Sequence, residues 1–162
     1  MANVFLALGS NIGNCKANLN LAIEQIKERI GRVTSISAFC VTEPWGYESK
    51  NWFLNAVLLV DTQFSPQEIL NITQNIELEL GRTSKTGTTY NDRLIDIDIL
   101  FYDKFCLKSP QLTIPHPELH LRSFVLNPLM EIAPDFIHPL FEKSIRNLHQ
   151  AMVEKERNNK NI

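Results

Sequence analysis

The stretch Leu94 to Phe101 places Ile95, Ile97, Ile99 and Phe101 at alternate positions, with Asp96 and Asp98 between them. Only an extended chain sends every second side chain to one face, so this segment reads as a strand with an apolar side and a charged side. The apolar side needs a covering layer, and two segments of helical period can supply it. The first follows Asn14, a capping residue, and carries Leu19, Ala22, Ile23, Ile26 and Ile30 before Gly31 stops it. The second opens on Ser65-Pro66-Gln67-Glu68, in which cap, proline and glutamate each satisfy or tolerate an orphan backbone donor. Ile69, Ile72, Ile76 and Leu80 share its face, and Gly81 ends it.

Three further runs read as strands: Val4 to Leu8, Val33 to Val41 and Phe53 to Val60. The order β-α-β-β-α-β implies an α+β, ferredoxin-like sandwich, an antiparallel sheet with both helices on one face. From Asp103 onward, prolines at 110, 115, 117, 128, 134 and 139 predict a hairpin or loop and brief helices, a C-terminal extension that embellishes the domain. The polar tail from Glu154 is expected to fray. Residues 1–162 are read as a single domain.

A net charge of -2 argues against a surface that neutralises many phosphates of a polynucleotide, so no nucleic-acid partner is expected. The start, MANVFLALGSNIGN, is neither signal peptide nor membrane anchor by its pattern. Cys15, Cys40 and Cys106 are far apart and odd in number, which suggests free thiols and a cytoplasmic setting. A monomer is expected.

Asp96 and Asp98 would stand roughly 6.6 Å apart along one face of their strand. Aspartate is a poor strand former, and two in succession on one face repel each other. That cost points to one or two hard cations, with magnesium suited to few carboxylates plus substrate phosphates. Arg82, Lys85 and Arg93 lie before or beside the pair in sequence, and His116 and Arg122 lie beyond it. Such cations fit phosphoryl transfer, although scattered solvated charges would look the same one by one. His116 and His120 have the spacing of a zinc pair, but Pro117 argues against one helix through both. His138 and His149 read as structural or surface residues. Trp45, Trp52, Phe53 and Phe124 could stack on a flat ligand whose edge Asn55 reads, or could simply be core.

Two long loops, Thr42 to Trp52 and Arg82 to Arg93, are of a length that is more often functional than idle. The motifs LGSNIGN at 8–14, TEPWG at 42–46, FLNAV at 53–57, QNIELELGR at 74–82, DRLIDIDILF at 92–101 and IPHPELHLRSFVLNPLMEIAP at 114–134 act in combination. Together they resemble the 6-hydroxymethyl-7,8-dihydropterin pyrophosphokinases of folate synthesis. The resemblance implies that ATP, as co-substrate, donates a diphosphate to the pterin hydroxymethyl group and leaves AMP. It implies two magnesium ions on Asp96 and Asp98, and a pterin between Phe53 and Phe124. Asn55 and the chain at Thr42, Pro44 and Trp45 would read the pterin edge. Gln74, Glu77, Arg93, Ile99, Thr113, His116 and Arg122 would surround the nucleotide. Arg82, Lys85 and Arg93 would serve catalysis with the two aspartates.

The loop after Arg82 departs from the family pattern. Ser84 replaces an arginine, Tyr90 aligns with a tryptophan, and Pro117 replaces a frequent tyrosine. This loop is expected to close over ATP, and deleting Ser84 to Tyr90 should cut turnover while sparing the pterin. A nucleotidyltransferase or nuclease using the same aspartates is the first rival reading. A non-enzymatic ferredoxin-like module that binds RNA or a small ligand is the second, opposed by two acidic groups on its sheet face.

Overall fold

A computed structural model of the chain describes residues 1–43, 51–81 and 94–160. Its strands are β1 (Ala2–Ser10), β2 (Gly31–Ile36), β3 (Cys40–Thr42), β4 (Phe53–Thr62) and β5 (Asp96–Tyr102), with β6 (Leu107–Lys108) and β7 (Thr113–Ile114) forming a small hairpin. The helices are α1 (Cys15–Arg29), α2 (Pro66–Gly81), α3 (Ser123–Ile132) and α4 (Ile145–Lys160). The main sheet runs β2–β4–β1–β5, antiparallel throughout, and β3 pairs with the start of β4. This is the α+β sandwich that the alternation of periods predicts.

Both expected helix starts form. The Asn14 side chain accepts the Ala17 N–H, and Ser65 Oγ accepts the Glu68 N–H. Each such cap stabilises its helix by about 1 kcal/mol. α1 and α2 bury Leu19, Ala22, Ile23, Ile26, Ile69 and Ile76 against Val4, Leu6, Leu8, Ile95, Ile97 and Ile99 of the sheet.

The rest of the chain does more than embellish. Leu119, Val125, Leu126, Leu129, Ile145 and Leu148 pack with Phe5, Val57, Leu100 and Phe101 in a second apolar cluster. The extension therefore adds a third layer over part of the opposite sheet face. α4 is not brief, and it continues as an exposed helix through Glu154 to Lys160, where fraying was expected.

Three local expectations need correction. Gly31 does not cap α1; it opens β2, where an added Cβ would lie 1.9 Å from the Asp61 carbonyl oxygen. Close approach of two strands, not a helix stop, demands glycine there.

The expected strand Val33 to Val41 is broken at residues 37–39. Ser37 exchanges hydrogen bonds with Val57, through its N–H at 3.0 Å and its hydroxyl at 2.9 Å, while the Glu131 carboxylate accepts the Ala38 N–H at 3.0 and 3.1 Å. An acceptor from α3 thus replaces the ladder partner.

Phe101 does not share a face with Ile99. The β1–β5 register shifts between Leu6↔Ile99 and Phe5↔Phe101, leaving Leu100 as the extra residue. Such a bulge turns the strand over, so Leu100 and Phe101 both enter the second cluster.

Candidate active site

Residues directly opposite on antiparallel strands point to the same face. Cys40, Asn55, Gly9 and Asp96 therefore form one row across the sheet, and Val57, Ala7 and Asp98 form the next. Thr42 and Phe53 pair in a row beyond Asn55. All stand on the face that α1 and α2 leave open, with Val57 and Ala7 reaching the second apolar cluster.

Asn55 is 5% exposed, and its amide donates to the Thr42 hydroxyl. A buried amide fixed in this way keeps one orientation, as a reader of a ligand edge must. Gly9 leaves the room. A Cβ there would stand 3.0 Å from Asn55 Oδ1 and 3.4 Å from the Phe53 ring. Phe124 opens α3 on the same side of the sheet, with the Arg122 guanidinium 5.6 Å from its ring centroid.

Asp96 and Asp98 point out of β5 side by side, both half-buried. Glu77 reaches them from α2, and its Oε2 accepts the Ile97 N–H at 3.0 Å. Burial pushes the Glu77 carboxyl up to about 8; the Ile97 amide opposes that rise, while charge and a hydrogen bond from Asp96, and charge from Asp98, add to it. Burial first, and the neighbouring aspartates after it, thus favour the protonated form of Glu77 at neutral pH. Such a deficit of positive charge, presented by hard oxygen donors on a rigid strand, fits magnesium. Among the described residues no group of three or more His, Cys, Asp or Glu could hold a metal ion, so substrate phosphates would have to complete the coordination.

The other bank of the site comes from the chain after β7. The His116 N–H donates to the Leu100 carbonyl, which seats this segment on the edge of β5. Burial, then the Arg122 charge, lower the His116 imidazole to about 4 against the pull of Glu118 and Asp96. Its Nδ1 accepts the Glu118 N–H at 3.2 Å. The neutral ring therefore carries its proton on Nε2, a donor that needs no charge to meet a phosphate oxygen. Arg122 lies with Nη2 at 2.6 Å from Glu118 Oε2 and Nη1 at 3.9 Å from Asp98 Oδ2.

The structure thus brings together Thr42, Phe53, Asn55, Glu77, Asp96, Asp98, His116, Arg122 and Phe124. Gln74 is exposed on α2 one turn before Glu77, and Thr113 is half-buried on β7. Ile99 is different: its side chain is 4% exposed among the residues under α1 and α2, so only its main chain could face a ligand. Pro44, Trp45, Arg82, Lys85, Arg93 and the expected lid lie outside the described residues. Sequence reading missed Gly9 and Glu118. The second leaves a signal, an acidic residue four positions before Arg122.

The family model described as 7,8-dihydro-6-hydroxymethylpterin-pyrophosphokinase (HPPK) matches residues 5–134. The chain belongs to this family. A 2-amino-4-hydroxy-6-hydroxymethyldihydropteridine pyrophosphokinase of Porphyromonas gingivalis is 49% identical over 141 residues, covering 86% of this chain and 95% of that one. The Aquifex aeolicus protein of the same name is 39% identical over 146 residues, covering 90% and 89%. Among solved structures, wild-type HPPK-DHPS of Plasmodium falciparum matches with a TM-score of 0.80 at 18% identity. The pyrophosphokinase-family chain is covered to 99% in that match, yet spans only 46% of the solved chain. That likeness speaks for the fold.

Proposed function

We infer that this chain transfers diphosphate from ATP to the hydroxymethyl group of 6-hydroxymethyl-7,8-dihydropterin, yielding AMP and the pterin diphosphate in folate biosynthesis. The observation that carries the reading is the register that sets Asn55, Gly9 and Asp96 in one row. A pterin read by Asn55 would extend its substituent towards the aspartates. The hydroxymethyl oxygen would bond to the β-phosphorus, the bond from that phosphorus to the α,β-bridging oxygen would break, and AMP would leave. The hydroxyl proton would pass to solvent, no side chain being assigned to receive it.

Phe53 and Phe124 would sandwich the pterin, with Asn55 and the chain at Thr42, Pro44 and Trp45 reading its edge. Gln74, Glu77, Arg93, Thr113, His116, Arg122 and the main chain at Ile99 would hold the nucleotide. Asp96 and Asp98 would hold magnesium, two ions in the full form of this reading. Bound there, magnesium would supply charge neutralisation for the phosphates. Arg82, Lys85 and Arg93, in the loop expected to close over ATP, would complete that neutralisation.

The reading includes one domain, a monomer and the cytoplasm. The free thiols of Cys15, Cys40 and Cys106 support a reducing compartment. No helix among the described residues is long and apolar enough to cross a membrane.

The test is a mass-resolved product assay with ATP, magnesium and the pterin, run beside an Asp96→Ala, Asp98→Ala double variant. AMP and pterin diphosphate from the wild type alone are expected. Free diphosphate with a nucleotidylated acceptor would assign the site to the rival transferase instead.

A further inference from the structure

Glu118 stands apart from the groups that would touch substrate, yet it is bonded to two of them. Its carboxylate holds Arg122 at 2.6 Å, and its backbone N–H fixes the His116 ring through Nδ1. Arg122 is the better buried partner, its side chain 19% exposed against 44% for Glu118. The same guanidinium has Asp98 on its other side, at 3.9 Å, the outer limit of an ion pair. Arg122 is thus held between two carboxylates, close to one and short of full contact with the other.

We propose that Glu118 is a positioning residue that keeps the Arg122 guanidinium off Asp98, so that Asp98 stays available to a cation and Arg122 to a nucleotide phosphate. Without the Glu118 carboxylate, Arg122 still has the Asp98 carboxylate beside it at 3.9 Å, near enough to close on. A guanidinium seated on that oxygen competes directly with magnesium. The energetic scale is that of one charge-assisted hydrogen bond, enough for about a tenfold change in an equilibrium constant.

The inference rests on the proposed function for its substrates, but its sign separates it from simple charge removal. Deleting an acidic group beside a polyphosphate site should tighten ATP by ordinary Coulomb attraction. The positioning role demands the opposite. Glu118→Gln should raise both the magnesium concentration for half-maximal turnover and the ATP KM by about tenfold, with pterin KM unchanged. Glu118→Asp, which keeps the charge on a shorter arm, should fall between Gln and wild type. In an Arg122→Ala background, Glu118→Gln should have no further effect, because the residue acts through Arg122.

The experiment measures these constants for the wild type, the three single variants and the double variant, with thermal melts to verify folding. Nitrogen-15 spectra of the Arg122 guanidinium in metal-free protein add a readout independent of turnover. The signals should be restrained in wild type and shifted in Glu118→Gln. An ATP KM that falls or stays level, an additive double variant, or an unchanged guanidinium spectrum would overturn the positioning role. A wild type that makes no AMP would instead overturn the proposed function, with the guanidinium spectra still deciding where Glu118 holds Arg122.

Discussion

At the Ser10 end of β1, the face that α1 and α2 leave open carries buried Asn55 and Gly9 and half-buried Asp96 and Asp98, polar groups or bare backbone. At the other end the same strands carry Phe5 and Phe101 beneath α3 and α4, with Phe136 packed at 5.1 Å from Phe5 and 4.7 Å from Phe101 between ring centroids. One end is a tray and the other a sealed aromatic core. On β5 the Leu100 bulge takes Phe101 off the Ile99 side and onto the face of Asp96 and Asp98, so that one face passes from aspartates to aromatics along the strand. A rigid core a few residues from a charged site holds that site still, which is what transfer by positioning and electrostatics requires.

If the two ends are separable, their variants should fail in different ways. The largest expected effect belongs to the tray. Asp96→Ala with Asp98→Ala should lower turnover by about a thousandfold or more, because the charge of the phosphates loses its counterpoise. Stability in metal-free buffer should hold or rise, since three crowded carboxyls become one. A melt shows the second effect and the product assay the first. A large loss of stability would mean that the aspartates also hold the sheet together.

Next comes the sealed end. Phe101 is fully buried, and Phe101→Ala should cost about 3–5 kcal/mol by emptying a site ringed by Phe5, Phe136 and His138. Chemical denaturation reads that loss. Turnover per folded molecule should stay within about twofold, because Phe101 is not among the residues that would touch substrate, although Phe124 packs on the same cluster. A proportionate loss of turnover would show that the core tunes the tray.

How much of this division could be read in the sequence follows from where each cause lies. Helix starts at Asn14 and Ser65 are local, because each cap bonds a donor three residues on. The aspartate pair is local too, since period two alone puts both on one face. The bulge was not legible. Leu100, Phe101 and Tyr102 are all apolar or aromatic, so no polar residue marks the change of face. Nor was the break at 37–39, which depends on Glu131, far along the chain. His138 read as structural or surface; it is 2% exposed, stacked on Phe141 at 4.1 Å, with its Nδ1 accepting the N–H groups of Leu140 and Phe141. Glu118 was within reach of inspection, but an acidic residue four before an arginine gains meaning only when Asp98 stands on the other side.

Protonation sharpens the comparison, because Glu77 in the tray and His138 in the sealed end respond with opposite sign. Burial, with the nearby His120, lowers His138 to about 4. The unfolded chain therefore binds more protons between about 6.5 and 4, and stability falls as pH falls through that window. Glu77 is raised to about 8 from 4.5, so the folded chain binds the extra proton and stability falls as pH rises through that window. Each slope is at most about 1.4 kcal/mol per pH unit. Denaturant midpoints in metal-free buffer, followed across pH, should lose the acid-side slope in part in His138→Gln, the remainder belonging to His116, which is also lowered to about 4, and to His120, which burial lowers as well. Glu77→Gln should lose the alkaline-side slope. The same slope in wild type and variant would remove that residue from the account.

The smallest expected effect is the most local. Gly9→Ala places a methyl 3.0 Å from Asn55 Oδ1, which must yield by a few tenths of an ångström, and 3.4 Å from the Phe53 ring, at the edge of an ordinary contact. Asn55 is tied to Thr42 and cannot turn away without losing that bond. The methyl should therefore strain the Asn55 amide, and pterin binding should weaken by about fivefold, near 1 kcal/mol. Nucleotide affinity should be unchanged, since the three heavy atoms nearest the new methyl belong to Asn55 and Phe53. Separate titrations of the pterin and of magnesium–ATP resolve the two. Equal weakening of both would mean that Gly9 couples the halves of the tray through β1, and the row Asn55–Gly9–Asp96 would then be one unit in which substrate position and cation site shift together.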